Sequence, residues 1–156
     1  MTAVDRDAQA MRGLRERGGL DDVVVADLES GPWPFAGRRF GAVVAANYLW
    51  RPLLPRLVEA LDDDGVLVYE TFAAGQETVG PPSRPDFLLR RGELLTALEG
   101  LSIVAFQDGF LPDPDRFVQR VVAVRERPSP APRRWRLDAR PAGPGSVESS
   151  DSGMHE

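Results

Sequence analysis

Cysteine is absent from the 156-residue sequence, and the single histidine, His155, is the residue before the last. A chain without cysteine has no disulfide bond, thiolate zinc site or cysteine nucleophile. Because the one imidazole lies at the very end of the chain, we expect neither Ser-His-Asp catalysis nor a histidine-ligated metal. Lysine is absent too, since all 19 basic residues are arginine, and this excludes Schiff-base and P-loop lysine chemistry.

Long apolar runs are also missing. No run approaches the roughly 20 residues that span a bilayer, and the N-terminal stretch MTAVDRDAQA lacks the apolar core of a signal peptide. We therefore expect a cytoplasmic protein without a membrane partner. The formal net charge of −5 does not favour a nucleic-acid partner, because nucleic acid is a polyanion.

The length of the chain suits one domain. Residues 128–156 are rich in proline, glycine, serine and arginine and contain few large apolar side chains, so burial there would not offset the entropy of ordering. The sequence predicts one folded domain over residues 1–127 and a disordered tail over residues 128–156.

Short apolar runs typical of strands alternate with segments of helical periodicity. The predicted strands are 3–4, 23–26, 40–46, 66–69, 102–106 and 117–124, and the predicted helices are 8–17, 51–61 and 93–98. We interpret the acidic run Asp62–Asp64 as a turn that ends the second helix, not as a metal site. The loop 73–91 is long, and long ordered loops are often functional.

This alternation predicts an α/β fold with a parallel sheet covered on both faces. The last two strands have no helix between them, so they should form an antiparallel hairpin at one edge. Ligands of such sheets bind beyond the carboxyl ends of the strands. The residues at those ends are Asp5, Asp27–Leu28, Asn47–Tyr48 and Glu70–Thr71.

Three sequence blocks in this region resemble class I S-adenosylmethionine-dependent methyltransferases, in particular a bacterial branch whose substrate we do not name. They are DLESGPWPF, FGAVVAANYLWRPLLPRL and DGVLVYETFAAGQETVGPPSRPDFLLRRGELL. The resemblance covers about residues 2–125. It implies a Rossmann-like sheet, S-adenosylmethionine as cofactor, and methyl transfer to an unidentified, small-molecule acceptor.

The resemblance also implies roles for four residues at the strand ends. Asp5 would accept hydrogen bonds from the two ribose hydroxyls of the cofactor, a role that suits a carboxylate. Asp27 would face the adenine amino group, Leu28 would pack on the adenine ring, and Asn47 would contact the cofactor. The alternatives from the residues alone are that Asp5 caps the first helix and that Asp27 is an ordinary loop acid beside a buried leucine.

Two further residues are candidates for the catalytic step. Glu70 is our prediction for a polar substrate contact or general base, and Tyr48 for a residue of the substrate pocket. Glu70 could equally be a strand-end carboxylate bonded to loop amides. Trp50 and Arg51 could line the same pocket, or Trp50 could pack on the sheet and Arg51 could pair with a nearby acid. The segment starting at Asn47 departs from the Asn-Pro-Pro-Tyr signature of amino-group methyltransferases, so that mechanism is not supported.

The first strand of this family and its glycine-rich turn have no counterpart, because residue 2 already corresponds to the second strand. The absent strand is central in the family's sheet. Its absence predicts a gap of about 10 Å between the strands that end at Asp5 and Asn47, with two rows of unpaired backbone groups. We expect such a chain to be marginally stable and prone to self-association.

Three explanations compete for this gap. We favour a reading frame that begins too late, which predicts that the DNA just upstream encodes a strand and a Gly-x-Gly-like turn in frame. The others are a decayed gene fragment and a non-catalytic module that binds a protein partner. A nicotinamide-dependent oxidoreductase shares the acid at Asp5 but explains the other sequence blocks poorly.

Overall fold

The computed structural model describes residues 1–131 and 133–135. The predicted disorder of the tail therefore concerns mainly residues outside the described ones. Among the described residues, no helix is both long and apolar enough to cross a bilayer.

The first unit of the fold is a strand–helix–strand. Strand β1 (Thr2–Asp5) is followed by helix α1 (Ala8–Arg17) and by strand β2 (Asp22–Val25), which pairs with β1 in parallel. The carboxylate of Asp7 caps α1 by accepting from the amides of Gln9 and Ala10 at 2.8 and 3.0 Å. The helix ends at Gly18, whose φ of 73° favours glycine.

The second unit is a mixed four-stranded sheet with the spatial order β3-β4-β6-β5. Strand β3 (Phe40–Ala46) runs parallel to β4 (Leu61–Phe72), whereas β5 (Ser102–Leu111) and β6 (Arg116–Val124) form the predicted antiparallel hairpin beside β4. The predicted α/β class and the Rossmann-like arrangement are confirmed.

Short helices connect these strands. A 3₁₀ turn (Arg51–Leu53) leads into α2 (Leu54–Glu59), and α3 (Glu93–Ala97) precedes β5. The predicted loop after β4 is ordered by two 3₁₀ turns, Gln76–Thr78 and Pro85–Phe87.

The acidic run Asp62–Asp64 does not form the predicted helix-ending turn. Helix α2 already ends at Glu59, and the acidic residues belong to the beginning of β4. The register shifts here, because Phe40 lies opposite Leu61 while Ala42 lies opposite Val66, so the acidic residues are extra residues on β4. Leu61 is completely buried. Strand β4 therefore begins at Leu61, ahead of the apolar run that starts at Val66.

The core lies on one face of the four-stranded sheet. Side chains of α2 and α3, such as Leu57 and Leu94, pack against Leu67 and Tyr69 of β4 and Val121 of β6. The opposite face of the same sheet is open. Across it runs a row of four apolar residues, one from each strand: Val44, Val68, Val122 and Ala105. Val44 and Val68 have 72% and 39% of their surface exposed.

The two units form separate sheets. The sheet is therefore interrupted between β1 and β3, where the sequence analysis predicts a gap. Residues of β1 and β3 line the same cavity from opposite sides, but the two strands do not pair with each other. At the amino ends of both strands the side chain of Arg38 bridges the gap. It donates to the hydroxyl of Thr2 at 3.5 Å and lies 3.8 Å from the carboxylate of Asp22.

Candidate functional site

A cavity of about 560 Å³ lies between β1 and β3. Its inner part, which we call the channel, runs between the two strands. Its outer part, the rim, is formed by residues at or just after the carboxyl ends of β1, β2 and β3: Asp5, Arg6, Asp27, Leu28, Glu29, Asn47 and Tyr48. The carboxyl ends of β1, β2 and β3 thus lie at one rim, where the sequence analysis expects them, but Glu70–Thr71 lie within β4 and do not line the cavity.

Asp5 lies at the rim and is exposed. One of its carboxylate oxygens, Oδ1, accepts from the amide of Asp7 at 2.9 Å. The capping of α1 belongs to Asp7 and not to Asp5. This arrangement fixes the Asp5 side chain at the cavity through one oxygen, and the structure describes no hydrogen bond to the other.

Asp27 also lies at the rim, but its carboxylate is occupied by its own loop. Oδ1 accepts from the amides of Glu29 and Ser30, at 2.9 and 3.3 Å, and Oδ2 accepts from the hydroxyl of Ser30 at 2.6 Å. The Ser30 hydroxyl and these amides hold the pKa of Asp27 below its usual value. Asp27 thus organises the turn after β2, while its neighbour Leu28 is partly buried against the core and faces the cavity.

Asn47 turns the chain at the end of β3. Its φ is 54°, a left-handed conformation that asparagine tolerates better than most residues, and its amide donates to the carbonyl of Glu70 at 2.9 Å. The turn directs the chain from the sheet edge into Tyr48, so both residues lie at the rim.

Tyr48 contacts Glu29, a residue that the sequence analysis did not select. The Tyr48 hydroxyl donates to Oε1 of Glu29 at 3.3 Å, and burial together with this carboxylate raises the pKa of Tyr48 to about 12. At neutral pH Tyr48 therefore keeps its proton and acts as a hydrogen-bond donor. Glu29 and Arg6 directly follow predicted strand-end residues, which is the signal that could have identified them.

An aromatic cluster forms the apolar wall of the cavity and was also missed. Trp33 and Phe35 meet edge to face with ring centroids 5.3 Å apart, and Phe35 meets Phe40 in the same way at 5.4 Å. The guanidinium of Arg38 lies over the rings of Phe35 and Phe40. In the sequence, Trp33 stands between two prolines, which indicates a loop and hides the packing role.

Glu70 is not among the residues that line the cavity. Its side chain lies near two arginines of β6: Oε2 is 2.9 Å from Nε of Arg120, and Oε1 is 3.7 Å from Nη1 of Arg116. The Arg120 contact is an ion pair by distance only, since the buried Nε atoms of both arginines lack a well-aligned hydrogen bond among the described residues. A carboxylate placed between two cations outside the cavity does not favour the predicted role of general base.

Trp50 and Arg51 point away from the rim. Trp50 is partly buried against the core, and Arg51 forms an ion pair with Glu93, with Nε 2.6 Å from Oε1. Neither residue lines the cavity, so the structure favours packing for Trp50 and pairing with an acid for Arg51.

A metal centre has no support in the described part of the chain. Residues 1–131 and 133–135 bring together no group of three or more side chains that could ligate a metal ion.

The fold is similar to that of solved methyltransferases. The N-methyltransferase NodS from Bradyrhizobium japonicum superposes with a TM-score of 0.61 at 16% identity, over 81% of this chain and 73% of NodS. NodS has also been solved with S-adenosylhomocysteine. A SAM-dependent methyltransferase from Methanosarcina mazei gives 0.57 at 15% identity, over 80% of this chain and 81% of its own.

TehB from Haemophilus influenzae gives a TM-score of 0.61 at 12% identity, and the match covers 80% of this chain but 49% of TehB. This chain therefore corresponds to about half the length of TehB. No protein-family model and no curated protein sequence matches the chain. These similarities show that the chain has the fold of class I methyltransferases.

Proposed function

We propose that the rim of the cavity is the cofactor site of an S-adenosylmethionine-dependent methyltransferase, with Asp5 as the residue that binds the ribose. The observation that carries this proposal is the meeting of Asp5, Leu28 and Asn47 from three parallel strands at one cavity. Small-molecule sites of α/β sheets occur at this edge.

The residues at the rim fit this cofactor. The Asp5 oxygen that has no described partner can accept a ribose hydroxyl, while the fixed oxygen keeps the side chain in place. Leu28 offers an apolar surface for a purine. Because the carboxylate of Asp27 is bonded to its own loop, we assign it the shaping of this turn and propose that adenine is held mainly by Leu28 and the backbone.

The charge of the rim also suits S-adenosylmethionine. Three carboxylates, those of Asp5, Asp27 and Glu29, face the cavity, against one cation, Arg6. A negative rim attracts a sulfonium compound, which is positively charged. The bound sulfonium supplies an activated methyl group for in-line displacement, so the protein mainly positions the acceptor and excludes water.

Tyr48 is the residue that we propose for contact with a small-molecule acceptor. Tyr48 lines the rim and its hydroxyl donates its one proton to Glu29, so the hydroxyl oxygen can accept a hydrogen bond from a donor group of the methyl acceptor. Glu29 orients this hydroxyl. No general base is assigned, because Glu70 lies outside the cavity between two arginines.

Calorimetric titration of the full chain with S-adenosylhomocysteine tests the cofactor site. Asp5→Asn keeps an oxygen for the amide of Asp7 but removes the charge and one acceptor. We expect it to weaken binding by about tenfold or more, since a hydrogen bond to a charged group contributes about 1.5–3 kcal/mol. The matched control is Asp115→Asn, an exposed acid in the β5–β6 turn outside the cavity, which should leave binding unchanged.

Two results would contradict the proposal. One is the absence of binding by the full chain. The other is an equal loss of affinity in both variants, which would show a general effect of charge. The first result would favour the alternative, a non-catalytic module with a methyltransferase-like fold, for which the interrupted sheet is the supporting observation. The second would remove Asp5 as the ribose contact.

A further inference from the structure

A second cavity, of about 490 Å³, lies beside the amino end of β3. Its lining comes from the loop ahead of β3 and from the end of α2. Trp33 and Phe35 line this cavity as well as the first one, so the aromatic cluster belongs to the walls of both. We call the second cavity the arginine pocket, because Arg38, Arg39 and Arg56 all line it. Its volume is that of a small-molecule site.

The arginine pocket is positively charged, although the chain as a whole is not. Among the described residues that line it, three are arginines and one, Glu59, is an acid, whereas the formal net charge of the chain is −5. The rim of the first cavity has the opposite balance, with three carboxylates against one arginine. A concave patch of one sign concentrates ligands of the opposite sign. The arginine pocket therefore suits an anion, which the rim repels.

Arg39 has no acidic partner within the part of the chain that the structure describes. Its Nη1 donates to the carbonyl of Leu61 at 3.1 Å, and its other guanidinium nitrogens have no described hydrogen-bond partner. The guanidinium of Arg125 donates to the same carbonyl at 3.0 Å. A carbonyl oxygen carries no net charge, so it brings two cations together without neutralising them. The charge of Arg39 is therefore available to an anion from solution.

The other two arginines of the pocket are only weakly neutralised. Nη1 of Arg56 lies 3.3 Å from Oε2 of Glu59, and both side chains are more than half exposed. Exposed ion pairs of this kind contribute little, so a bound anion can take the place of Glu59. Arg38 is fixed by its stacking on the aromatic cluster, and its ion pair with Asp22 is as long as 3.8 Å.

The chemistry of the walls indicates which kind of anion fits. A guanidinium presents its donors in a planar fork that matches the oxygens of a phosphate group. The pocket also has an apolar wall, to which Pro32, Trp33 and Phe35 contribute. Inorganic phosphate would use the arginines but not this wall. A phosphate ester that carries a flat apolar group uses both.

We infer that the arginine pocket binds a small phosphate monoester with a flat apolar group. Arg39 and Arg56 hold the phosphate, and the apolar group lies against Trp33. Arg38 adds positive charge without a direct contact. The site is separate from the proposed cofactor site, and it does not depend on cofactor binding.

Calorimetric titration of the full chain with phenyl phosphate and with inorganic phosphate tests this site. We expect phenyl phosphate to bind with a Kd below about 1 mM and at least about fivefold more tightly than inorganic phosphate, because only the ester contacts the aromatic wall. Titration in the presence of S-adenosylhomocysteine should give the same Kd, since the arginine pocket lies outside the rim.

The first pair of variants tests the guanidinium of Arg39. Arg39→Lys keeps the charge and a donor for the carbonyl of Leu61 but removes the fork, and it should weaken the binding of phenyl phosphate by about fivefold or more. The control is Arg12→Lys, an exposed arginine of α1 that lines neither cavity, and it should leave binding unchanged. Urea unfolding of both variants separates a loss of binding from a loss of stability.

The second pair removes an acid instead of a cation. Glu59→Gln eliminates the carboxylate that competes for Arg56, and it should strengthen binding by about two- to threefold. Glu99→Gln removes the same charge from an exposed position between α3 and β5, outside the pocket, and should have a smaller effect. Arginines that served the fold alone would not produce this gain in affinity.

Four results would overturn the inference. The first is that phenyl phosphate does not bind, or binds no more tightly than inorganic phosphate. The second is an equal change in affinity within either pair of variants, which would show a general effect of charge or side-chain type. The third is competition by S-adenosylhomocysteine, which would place the probe at the rim. The fourth is much tighter binding of a single-stranded DNA oligonucleotide, since the partner would then be nucleic acid.

Discussion

Arg51 holds Glu93 and the loop after β4 in one network. Its Nε lies 2.6 Å from Oε1 of Glu93, and its Nη atoms donate to the carbonyls of Asp86 and Leu88 at 2.9 Å. Glu93 in turn accepts from the amide of Arg90 at 2.7 Å. One side chain thus ties the 3₁₀ turn ahead of α2 to the loop and to the beginning of α3.

Removal of this network should destabilise the fold and loosen the loop. Arg51→Ala leaves the partly buried Glu93 and two carbonyls without their donor, and we expect it to lower the free energy of unfolding by about 2 kcal/mol. Urea unfolding measures the change, and limited proteolysis should show new cleavage between Ala73 and Arg91. The control is Arg84→Ala, whose pair with Asp86 is exposed and should contribute less than about 0.5 kcal/mol. Equal effects in the two variants would contradict this prediction.

The ion pair of Glu93 should make stability depend on pH. Burial alone raises the pKa of Glu93, but the Arg51 guanidinium and the Arg90 amide outweigh burial and hold the pKa below its usual value of 4.5. A carboxyl with a lowered pKa contributes stability above its unfolded-state pKa, and this contribution is lost as the pH falls through the folded-state pKa. The stability difference between the wild type and Glu93→Gln should therefore be largest at neutral pH and shrink below about pH 4. A difference that stays constant from neutral to acid pH would be the contrary result.

Both tyrosines should resist ionisation in the folded state. Burial raises the pKa of Tyr69 strongly and, with Glu29 nearby, raises that of Tyr48 to about 12, and the Tyr69 hydroxyl donates to the carbonyl of Tyr48 at 2.5 Å. Unfolded tyrosine ionises near pH 10, so stability that is present below this pH is lost as the pH rises through the folded-state values. Ultraviolet titration should show very little tyrosinate in the folded chain near pH 10 and about half ionisation there in urea. The Tyr48→Phe variant shows whether Tyr48 is the first of the two tyrosines to ionise. Ionisation of either residue near pH 10 without unfolding would disprove the prediction.

Gly75 should not tolerate a side chain. Its φ is 107°, and a Cβ there would lie 2.8 Å from Cδ1 of Phe117. We expect Gly75→Ala to cost about 1–3 kcal/mol, because both the backbone and the ring must adjust. The control is Gly109→Ala in β5, where no atom lies within 4 Å of the new Cβ and φ is not positive. Thermal unfolding of both variants checks this, and a neutral Gly75→Ala would show that the turn can move.

Some strands could be predicted from sequence because an apolar run ends in a polar residue, but β5 continues through Gln107 to Leu111, beyond its predicted end at Phe106. The run at Phe40–Ala46 gave both boundaries of β3. The start of β4 was missed because Asp62 and Asp63 are exposed acids that break the apolar pattern, while the register shift that accommodates them depends on pairing with β3. Pairing between distant segments cannot be read from local composition.

The candidate site was predictable in position but not in detail. Counting from strand ends placed Asp5 and Asn47 at one cavity. The same rule placed Glu70 after the end of its strand, but β4 continues to Phe72. Strand alternation and the register with β6 then decide that the Glu70 side chain meets Arg116 and Arg120. The roles of these residues in binding and catalysis stay predictions.

The separation into two sheets has a consequence for how the molecule opens. Extensive contacts join β1, α1 and β2 to one another and join β3, β4, β6 and β5 to one another, whereas no backbone ladder links the two groups. Segments that share few buried contacts with the remainder behave as separate foldons. We therefore expect the strand–helix–strand unit that carries Asp5 to detach while the four-stranded sheet persists, so that this partial opening, and not global unfolding, sets the lifetime of the cavity.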